Sequence, residues 1–532
     1  MSTYLGGRQP ARRGRRTPWY LAGGLAAGSL VAAVAGLGGA AASAIDRDTP
    51  APAPGRPAAL AADNGPWDAE SADRDKQDRD KQDRDKKWQR PDDAQRGGPG
   101  NGRPDEPEGR RSGGNGRAPQ HKAVQVPCDS TRLIAALVRV NAEGGGLLRL
   151  ADKCTYTLTH AFQQADEYDG GIRDAREAAD AAENPGDAEA PPRNPAHDTA
   201  GLPVIYHAIT IEGSGATISR GVHAPDFRFF TVRDGGELTL RDVTLLNGRS
   251  KAEGGGIHIV HGATAVVERV TVANSTSLSA DGGGGGIFND GNLRISDSTL
   301  VGNRAAGTEG KGGGLLNGGV MSMYRTEFRH NSAVSYGGGL ANFRAAGDVY
   351  SSTFVRNNAA QGGGLASFSA RTKVFDSLVA GNSAQTGGGL ANSDAVLVLG
   401  QLTVRDNLAT VAGGGISTVQ GLLPIDDSVI SGNTTRGNGG GVYAAKSNLL
   451  VRGTDVKGNE AVGKKSQGAG LFVTAGTSSV YRSLIVGNRS TVKAGGIQAE
   501  RAQIKIDDDS IVVDNSPTNC LGSKVPVAHC FR

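Results

Sequence analysis

The sequence predicts an all-β solenoid, because three observations agree along its second half. A glycine phrase such as "GGGL" recurs ten times, at intervals of about 25 residues. An asparagine follows the apolar residue that closes each phrase, 16 to 18 residues later. The segments in between are short and rich in β-branched residues, which favours strands over helices. Repeats of this length indicate a solenoid, in which one unit cannot bury its apolar face alone.

The two markers of the repeat are spread evenly over the region. The closing apolar residues are Ile257, Ile287, Leu315, Leu340, Leu365, Leu390, Ile416, Val442, Leu471 and Ile497, and the asparagines are Asn274, Asn303, Asn331, Asn357, Asn382, Asn407, Asn433, Asn459, Asn488 and Asn515. Most length variation falls between an asparagine and the next glycine phrase. We therefore expect loops at that point of each unit, all along one edge of the solenoid, and a fixed register elsewhere.

Other positions of the unit are also regular. The residue three before the asparagine is almost always apolar, and the residue five before it is usually serine or threonine. Because parallel strands lie about 4.8 Å apart, like residues stack on like. We expect the apolar residues to form the core and the asparagines to bond to the neighbouring coil, in turns that tolerate left-handed backbone. Glycine suits tight corners of such a stack.

The combination of GGG-[ILV] with Φ-x-x-N resembles the repeats of right-handed parallel β-helix proteins of the pectate-lyase-like superfamily. In style it is similar to the GGA-[ILV]/FxxN repeats of polymorphic outer-membrane proteins, with "FRHN" at 328–331 and "FVRN" at 354–357 matching the second motif. The resemblance implies a right-handed parallel β-helix over 207–515. It does not decide the activity, because this fold hosts lyases, hydrolases, adhesins and inert spacers.

The amino-terminal region indicates export. Residues 1–16 contain five arginines and no acid, Thr17 to Ile45 carries no charge, and "AASA" at 41–44 provides a cleavage site. We predict a signal peptide over 1–44, with a retained transmembrane anchor as the alternative. Residues 45–122 contain 16 basic and 16 acidic residues and few apolar ones, which predicts a disordered linker.

The charge balance argues against nucleic acid as a partner. The chain carries 58 Lys and Arg against 54 Asp and Glu, a net charge of +4, and the five arginines of the leader account for that surplus. The mature chain would be close to neutral. Nucleic-acid binding would need a concentrated basic surface.

Two segments outside the repeats predict caps at the two ends of the solenoid. In 123–206, Leu133, Leu137 and Val140 follow "DST" at helical spacing, which predicts a helical N-terminal cap containing an inserted acidic loop. Such a cap would cover the exposed edge of the first coil. Residues 516–532 form the predicted C-terminal cap.

The four cysteines lie only in these two segments. In an exported protein, Cys128–Cys154 and Cys520–Cys530 are the most local disulfide pairs, although three connectivities exist. Metal binding is the competing interpretation, but only His529 adjoins a cysteine. We predict the two local disulfides and no cofactor.

Catalytic signals are sparse. One stripe of residues, six before each asparagine, contains Asp297, Arg325, Ser351, Asp376, Gln401, Asp427, Gly453, Arg482 and Asp509. Asp376 and Asp427 would lie two coils apart, about 9.6 Å by strand spacing. Inverting glycosidases separate their carboxylates by about 6.5–9.5 Å. A stripe of alternating charge is also typical of the solvated face of a solenoid.

The sequence thus predicts a secreted or cell-surface β-helix that is a non-catalytic scaffold for binding, adhesion or display, with polysaccharide or cell-surface components as partners. The alternative is a carbohydrate-active enzyme acting on acidic polysaccharide. It would be either a Ca²⁺-dependent lyase or an inverting hydrolase using Asp376 and Asp427.

The disulfide pattern is directly testable. Non-reducing peptide mapping of the exported protein should yield linked peptides for Cys128–Cys154 and Cys520–Cys530, because local pairs close the shortest loops. Free thiols, or a link between the two ends of the chain, would contradict both the pairing and the oxidising compartment.

Overall fold

The computed structural model describes residues 122–162 and 199–530. The predicted signal peptide or anchor, nearly all of the predicted linker and most of the inserted acidic loop lie outside these residues. Within them, no helix combines the length and the apolar character needed to cross a membrane.

The described chain starts with a strand and the helix α1, Ser130–Ala142. The side chain of Asp129 accepts a hydrogen bond from the Arg132 backbone N–H, which satisfies one of the free donors of the first turn. Leu133, Leu137 and Val140 are buried on one face of α1, as their spacing predicts. The helix packs beside the first strands, and its role as a cap stays a prediction.

Six strands precede the regular units. They are β1 Val124–Val126, β2 Gly145–Leu150, β3 Thr155–Leu158, β4 Ala208–Arg220, β5 Phe230–Val232 and β6 Glu237–Leu246. Both β2 and β3 pair in parallel with β4. The stack therefore begins before residue 207, the predicted start of the β-helix, because these earlier strands already form part of a coil.

Each regular unit contributes up to four strands, which form four rows along the solenoid. The first row, after each glycine phrase, contains β8 Ile257–Ile259, β12 Ile287–Asn289, β16 Leu315–Asn317, β20 Leu340–Phe343, β24 Leu365–Phe368, β28 Leu390–Ser393, β32 Ile416–Val419 and β42 Ile497–Glu500. The second row contains β9 Thr264–Glu268, β13 Asn292–Ser296, β17 Val320–Tyr324, β21 Ala346–Tyr350, β25 Arg371–Phe375, β29 Val396–Gly400, β33 Leu422–Asp426 and β43 Gln503–Ile506. Two longer strands, β36 Val442–Arg452 and β39 Leu471–Tyr481, run through both rows.

The third and fourth rows lie on either side of the repeated asparagine. The third row contains β10 Thr271–Ala273, β14 Thr299–Val301, β18 Glu327–Arg329, β22 Thr353–Val355, β26 Leu378–Ala380, β30 Thr403–Arg405, β34 Val429–Ser431, β37 Asp455–Lys457, β40 Leu484–Val486 and β44 Ile511–Val513. The fourth row contains β7 Arg249–Ser250, β11 Thr276–Ser277, β15 Arg304–Ala305, β19 Ser332–Ala333, β23 Asn358–Gln361, β27 Ser383–Thr386, β31 Leu408–Ala412, β35 Thr434–Thr435, β38 Glu460–Ala461 and β41 Arg489–Ser490.

The rows pair in parallel and in register. The fourth row forms a 10-stranded sheet, and the other strands join into a 34-stranded sheet that bends around the core. Leu340, Leu365 and Leu390, for example, occupy equivalent positions in successive coils. The all-β parallel solenoid is thereby confirmed, with about 14 turns of about 26 residues. Its right-handed sense and its repeat family stay predictions.

The apolar positions form continuous columns inside the solenoid. Phe328 and Phe354, each three residues before a repeated asparagine, are fully buried and stack with ring centroids 4.9 Å apart and planes 11° apart. Their neighbours in the column are Leu300 and Val379, which are also fully buried. The inward assignment of this position is confirmed.

The glycine phrase forms a corner for two separate reasons. Gly387 has φ of +61°, a left-handed conformation that glycine adopts readily. At Gly388, a Cβ atom would lie 2.4 Å from the carbonyl oxygen of Gly414 in the next coil. The phrase is therefore a close contact between backbones, and glycine is required there.

The asparagines form a ladder of buried amides along the solenoid. The Asn382 side chain donates to the Phe354 carbonyl at 2.9 Å and to Asn407 Oδ1 at 3.0 Å. Its own Oδ1 accepts from the backbone N–H and the side-chain Nδ2 of Asn357, at 2.8 and 3.1 Å. The expected bonding to the neighbouring coil is confirmed, and each buried amide has its partners in adjacent coils.

Two details of the ladder differ from the sequence prediction. Ser275, not Asn274, pairs with Asn303, because Asn274 occupies the turn position that precedes the ladder. The left-handed residue of each turn is likewise the one before the ladder asparagine, for example Arg356 with φ of +54°. The ladder amide itself must point inward, and the turn is made one residue earlier.

The repeated hydroxyl residues form a second ladder. Ser352 Oγ accepts from the Thr326 backbone N–H at 3.2 Å and donates to the Tyr350 carbonyl at 2.8 Å. Leu402 interrupts this ladder, as the sequence indicates. Small hydroxyl side chains thus satisfy backbone donors at the turn between the second and third rows.

The last coil is covered by the segment after β44. Asn519 Oδ1 accepts from both the backbone N–H and the side-chain Nδ2 of Asn515, each at 3.0 Å, and so ends the asparagine ladder. Lys524 then donates its backbone N–H to Ala499 at 3.0 Å. The Cys520–Cys530 disulfide closes this segment, and Cys128–Cys154 links the chain before α1 to the end of the β2–β3 turn.

The ladder predicts a large asymmetry between a buried and an exposed asparagine. Replacing buried Asn382 with Ala should lower the free energy of unfolding by about 3 kcal/mol, because several buried polar groups lose partners. Asn358→Ala, at an exposed side chain, should cost less than about 0.5 kcal/mol. Denaturant unfolding followed by circular dichroism measures both, and equal effects would contradict the structural role of the ladder.

Candidate functional site

The two carboxylates proposed from sequence lie on the solenoid surface. Asp376 and Asp427 are exposed, with φ of +49° and +46°, in the turns that follow β25 and β33. They are two coils apart, and Gln401 occupies the equivalent turn between them. Asp376 Oδ2 accepts a hydrogen bond from Ser351 Oγ at 2.8 Å. Their catalytic role stays a prediction.

Some charged residues of this stripe and of the turns before it are paired between adjacent coils. Arg325 donates two hydrogen bonds to Asp297, at 2.6 and 2.9 Å, and Arg269 donates two to Asp242, at 2.7 and 2.8 Å. The hydrogen bond from Arg325 lowers the pKa of the Asp297 carboxyl, although desolvation acts in the opposite direction. These ion pairs are typical of a solvated surface with repeated charges.

In residues 122–162 and 199–530, no group of three or more His, Cys, Asp or Glu side chains is placed to hold a metal ion. All four cysteines of the chain are in disulfides. The metal-binding interpretation of the cysteines is therefore wrong, because their sulfur atoms bond to each other.

The loops between the fourth row and the next glycine phrase lie along one edge of the solenoid. The loop at 304–312 begins with β15 and hydrogen-bonds to the equivalent loop of the preceding coil, with Glu309 N–H donating to the Ala280 carbonyl at 2.7 Å and Lys311 N–H to the Gly282 carbonyl at 2.9 Å. The loop at 460–468 begins with β38, in the same row. We call this side of the molecule the loop edge.

Three aromatic side chains form a cluster beside the loop at 304–312. Phe343 and Phe368 are the last residues of β20 and β24, and their rings stack with centroids 4.9 Å apart and planes 9° apart. Tyr336 directly precedes the glycine phrase at 337–339, and its ring is tilted against the ring of Phe368, with centroids 5.2 Å apart. All three side chains are partly exposed. We call them the aromatic cluster.

Two cations lie against the aromatic cluster. Lys311 Nζ and Arg344 Cζ are each 5.3 Å from the centroid of the Phe343 ring. Lys311 Nζ also donates to the backbone carbonyls of Asp281 and Glu309. Burial lowers the pKa of Lys311 and raises that of Tyr336, so this part of the surface is partly shielded from water.

The arrangement combines flat apolar rings with hydrogen-bond donors held in place by the backbone. Such a surface can bind a ligand that has apolar faces and polar edges. This cluster was not predicted from the sequence, although "GGGLANF" and "GGGLASF" carry phenylalanine at the same position of consecutive units. Tyr336 and Lys311 join it from other coil segments, so only stacking of the coils brings the set together.

Comparison with known proteins gives a structural likeness. No protein-family model matches the chain, and no curated protein matches it. Among solved structures, the A-module of a mannuronan C-5 epimerase from Azotobacter vinelandii is similar, with 13% sequence identity and a TM-score of 0.36. The match covers 70% of this chain and 94% of that module.

Proposed function

We propose that the protein is an exported, non-catalytic β-helix that binds polysaccharide at the aromatic cluster and along the adjoining loop edge. In this role it would act as a scaffold for adhesion or display at the cell surface. The observation that carries the proposal is the aromatic cluster itself, in which Tyr336, Phe343 and Phe368 stay partly exposed although the fold buries most other phenylalanines.

Sugar rings suit this surface for physical reasons. Their C–H faces are apolar and pack on aromatic rings, while their hydroxyl groups need polar partners. Phe343 and Phe368 are held by paired strands and by each other, so little side-chain freedom would be lost on binding. Arg344, which is exposed, and the loop at 304–312 would supply the polar contacts.

Two features support export. The disulfides Cys128–Cys154 and Cys520–Cys530 form and persist in oxidising compartments. The composition of residues 1–44 is that of a signal peptide, whose retention as an anchor would place the same domain on the cell surface.

The proposal predicts a local effect of the aromatic cluster on binding. Against a panel of immobilised plant and bacterial polysaccharides, the mature protein should bind at least one, and Phe343→Ala and Phe368→Ala should each weaken that binding roughly tenfold, as expected for aromatic anchors. Tyr324→Ala, a more exposed aromatic side chain in the second row, is the matched control and should bind like wild type.

The same assay tests the enzymatic alternative. Wild type, Asp376→Ala and Asp427→Ala are incubated with each polysaccharide, with and without Ca²⁺, and unsaturated or reducing-end products are measured. Products that disappear in either variant would overturn the non-catalytic proposal. The proposed site would be overturned if wild type bound none of the polysaccharides. It would also be overturned if the cluster variants and the control lost binding to the same extent.

A further inference from the structure

The loop edge changes in charge along the solenoid. From each strand of the fourth row to the next glycine phrase, its ten segments are 249–253, 276–282, 304–311, 332–336, 358–361, 383–386, 408–412, 434–438, 460–467 and 489–493. The first three segments contain four basic and three acidic residues, and the next four contain no charged residue. The last three contain five basic residues and one acidic residue, Glu460. Unbalanced positive charge on this edge is therefore confined to the last three coils.

Five cations make up this part of the loop edge. We call them the basic patch: Arg436, Lys464, Lys465, Arg489 and Lys493. Their strands β35, β38 and β41 pair in parallel, so the three segments lie in successive coils. Four of the side chains are exposed and that of Lys493 is partly exposed. None of the five forms an ion pair with another residue that the structure describes, whereas Arg269, Arg325 and Arg452 each pair with a carboxylate of the preceding coil. The basic patch thus keeps its charge available for a partner.

A turn holds Lys464 and Lys465 at its tip. The Ser466 backbone N–H donates to the Gly463 carbonyl at 3.0 Å, which places the two lysines at the central positions of the turn. Ser466 Oγ donates to the Arg436 carbonyl at 3.0 Å, and a backbone N–H of the following coil donates to the Ser466 carbonyl at 3.2 Å. The turn is therefore fixed to the coils on both sides, and little backbone freedom would be lost when the lysines meet a partner.

Exposed valines accompany the cations. Val462 directly precedes the lysine turn and is 50% exposed, and Val492, beside Lys493, is 46% exposed. Val411, on the loop edge of the third coil before Val492, is 56% exposed. A single exposed valine needs no explanation. Here, three of the last four coils of the loop edge carry one, in the same stretch that concentrates positive charge.

We infer that the basic patch and these three valines form a contact site for a membrane surface that contains anionic phospholipids. At such a surface, cations meet the phosphate groups, and apolar side chains enter the boundary between headgroups and acyl chains. Nucleic acid or an acidic glycan would attract the cations but has no apolar layer to take up valine side chains. The combination of both residue types therefore favours a lipid surface.

The shape of the solenoid suits this contact. Stacked coils place equivalent loops along a straight line, and the four coils from Val411 to Val492 span about 14 Å at the usual strand spacing. All the groups can therefore touch one plane together. The contact involves few charges and is screened by salt, so it is reversible. The aromatic cluster lies on earlier coils, between Lys311 and Phe368, and the inference does not depend on polysaccharide binding.

Co-sedimentation of the mature chain with lipid vesicles tests the inference. The chain should bind vesicles of phosphatidylcholine that contain about one third phosphatidylglycerol, should not bind phosphatidylcholine alone, and should be released by about 0.5 M NaCl. The double variant Lys464→Gln/Lys465→Gln should bind at least about tenfold more weakly, because each cation near an anionic surface contributes about fivefold. Arg371→Gln/Lys505→Gln is the matched control, since it removes the same charge from exposed positions in the second row.

A second pair of variants separates a lipid surface from a soluble polyanion. Val462→Ser should weaken binding to the anionic vesicles about threefold and leave binding to dextran sulfate unchanged, because only the vesicle has an apolar layer. Val320→Ser, at a similarly exposed valine of the second row, is its control. Phe343→Ala should bind vesicles like wild type, so that the polysaccharide proposal and this inference fail independently.

Circular dichroism and thermal melts establish that the variants fold. A wild-type chain that binds dextran sulfate but not the anionic vesicles, or that binds neither, would overturn the inference. So would a folded lysine variant, or a folded Val462→Ser variant, that binds the vesicles as strongly as wild type.

Discussion

The structure depends on one constraint, which is that successive coils are held in register at the spacing of β-strands. Every side chain then meets its own equivalent above and below. Apolar residues satisfy this condition by packing, as Phe328 and Phe354 do. Buried polar residues satisfy it only if both their donors and their acceptors find partners, in a neighbouring coil or in their own. Asparagine and serine meet that requirement, and they occupy the two ladders beside the core.

The same constraint shapes the surface. A residue type that recurs outside the solenoid forms a row, so two phenylalanines at equivalent positions become a stacked pair such as Phe343 and Phe368. Opposite charges at equivalent positions become ion pairs between coils, as for Asp297 and Arg325. Small differences between units are therefore amplified into local surfaces. The aromatic cluster is one such surface on a regular core.

The regular parts of this architecture were accessible from the sequence, because each repeated residue has one structural task. The inward apolar column and the asparagine ladder follow from the spacing of the repeats, and both disulfides follow from the local pairing expected in an exported protein. The turn at Asn274 was misassigned because serine replaces asparagine in that unit, and the periodic pattern cannot distinguish the ladder from the adjacent turn. The aromatic cluster was missed because Lys311 and Tyr336 precede the glycine phrase whereas Phe343 and Phe368 follow it, so only the fold brings them together. A second amide ladder, from Asn289 through Asn317 to Asn342, was missed because hydroxyl residues continue it.

The end of the asparagine ladder has a consequence for how such a protein can change in length. In each coil the ladder asparagine donates to the side-chain oxygen of the next ladder asparagine. After the last coil, Asn519 supplies this oxygen. The hydrogen bonds of the ladder therefore do not fix the number of coils. Duplication or deletion of a whole unit among the regular coils would leave every ladder amide satisfied and both ends unchanged. Functional surfaces on the solenoid can therefore be moved apart by insertion of whole coils, in steps of about 4.8 Å.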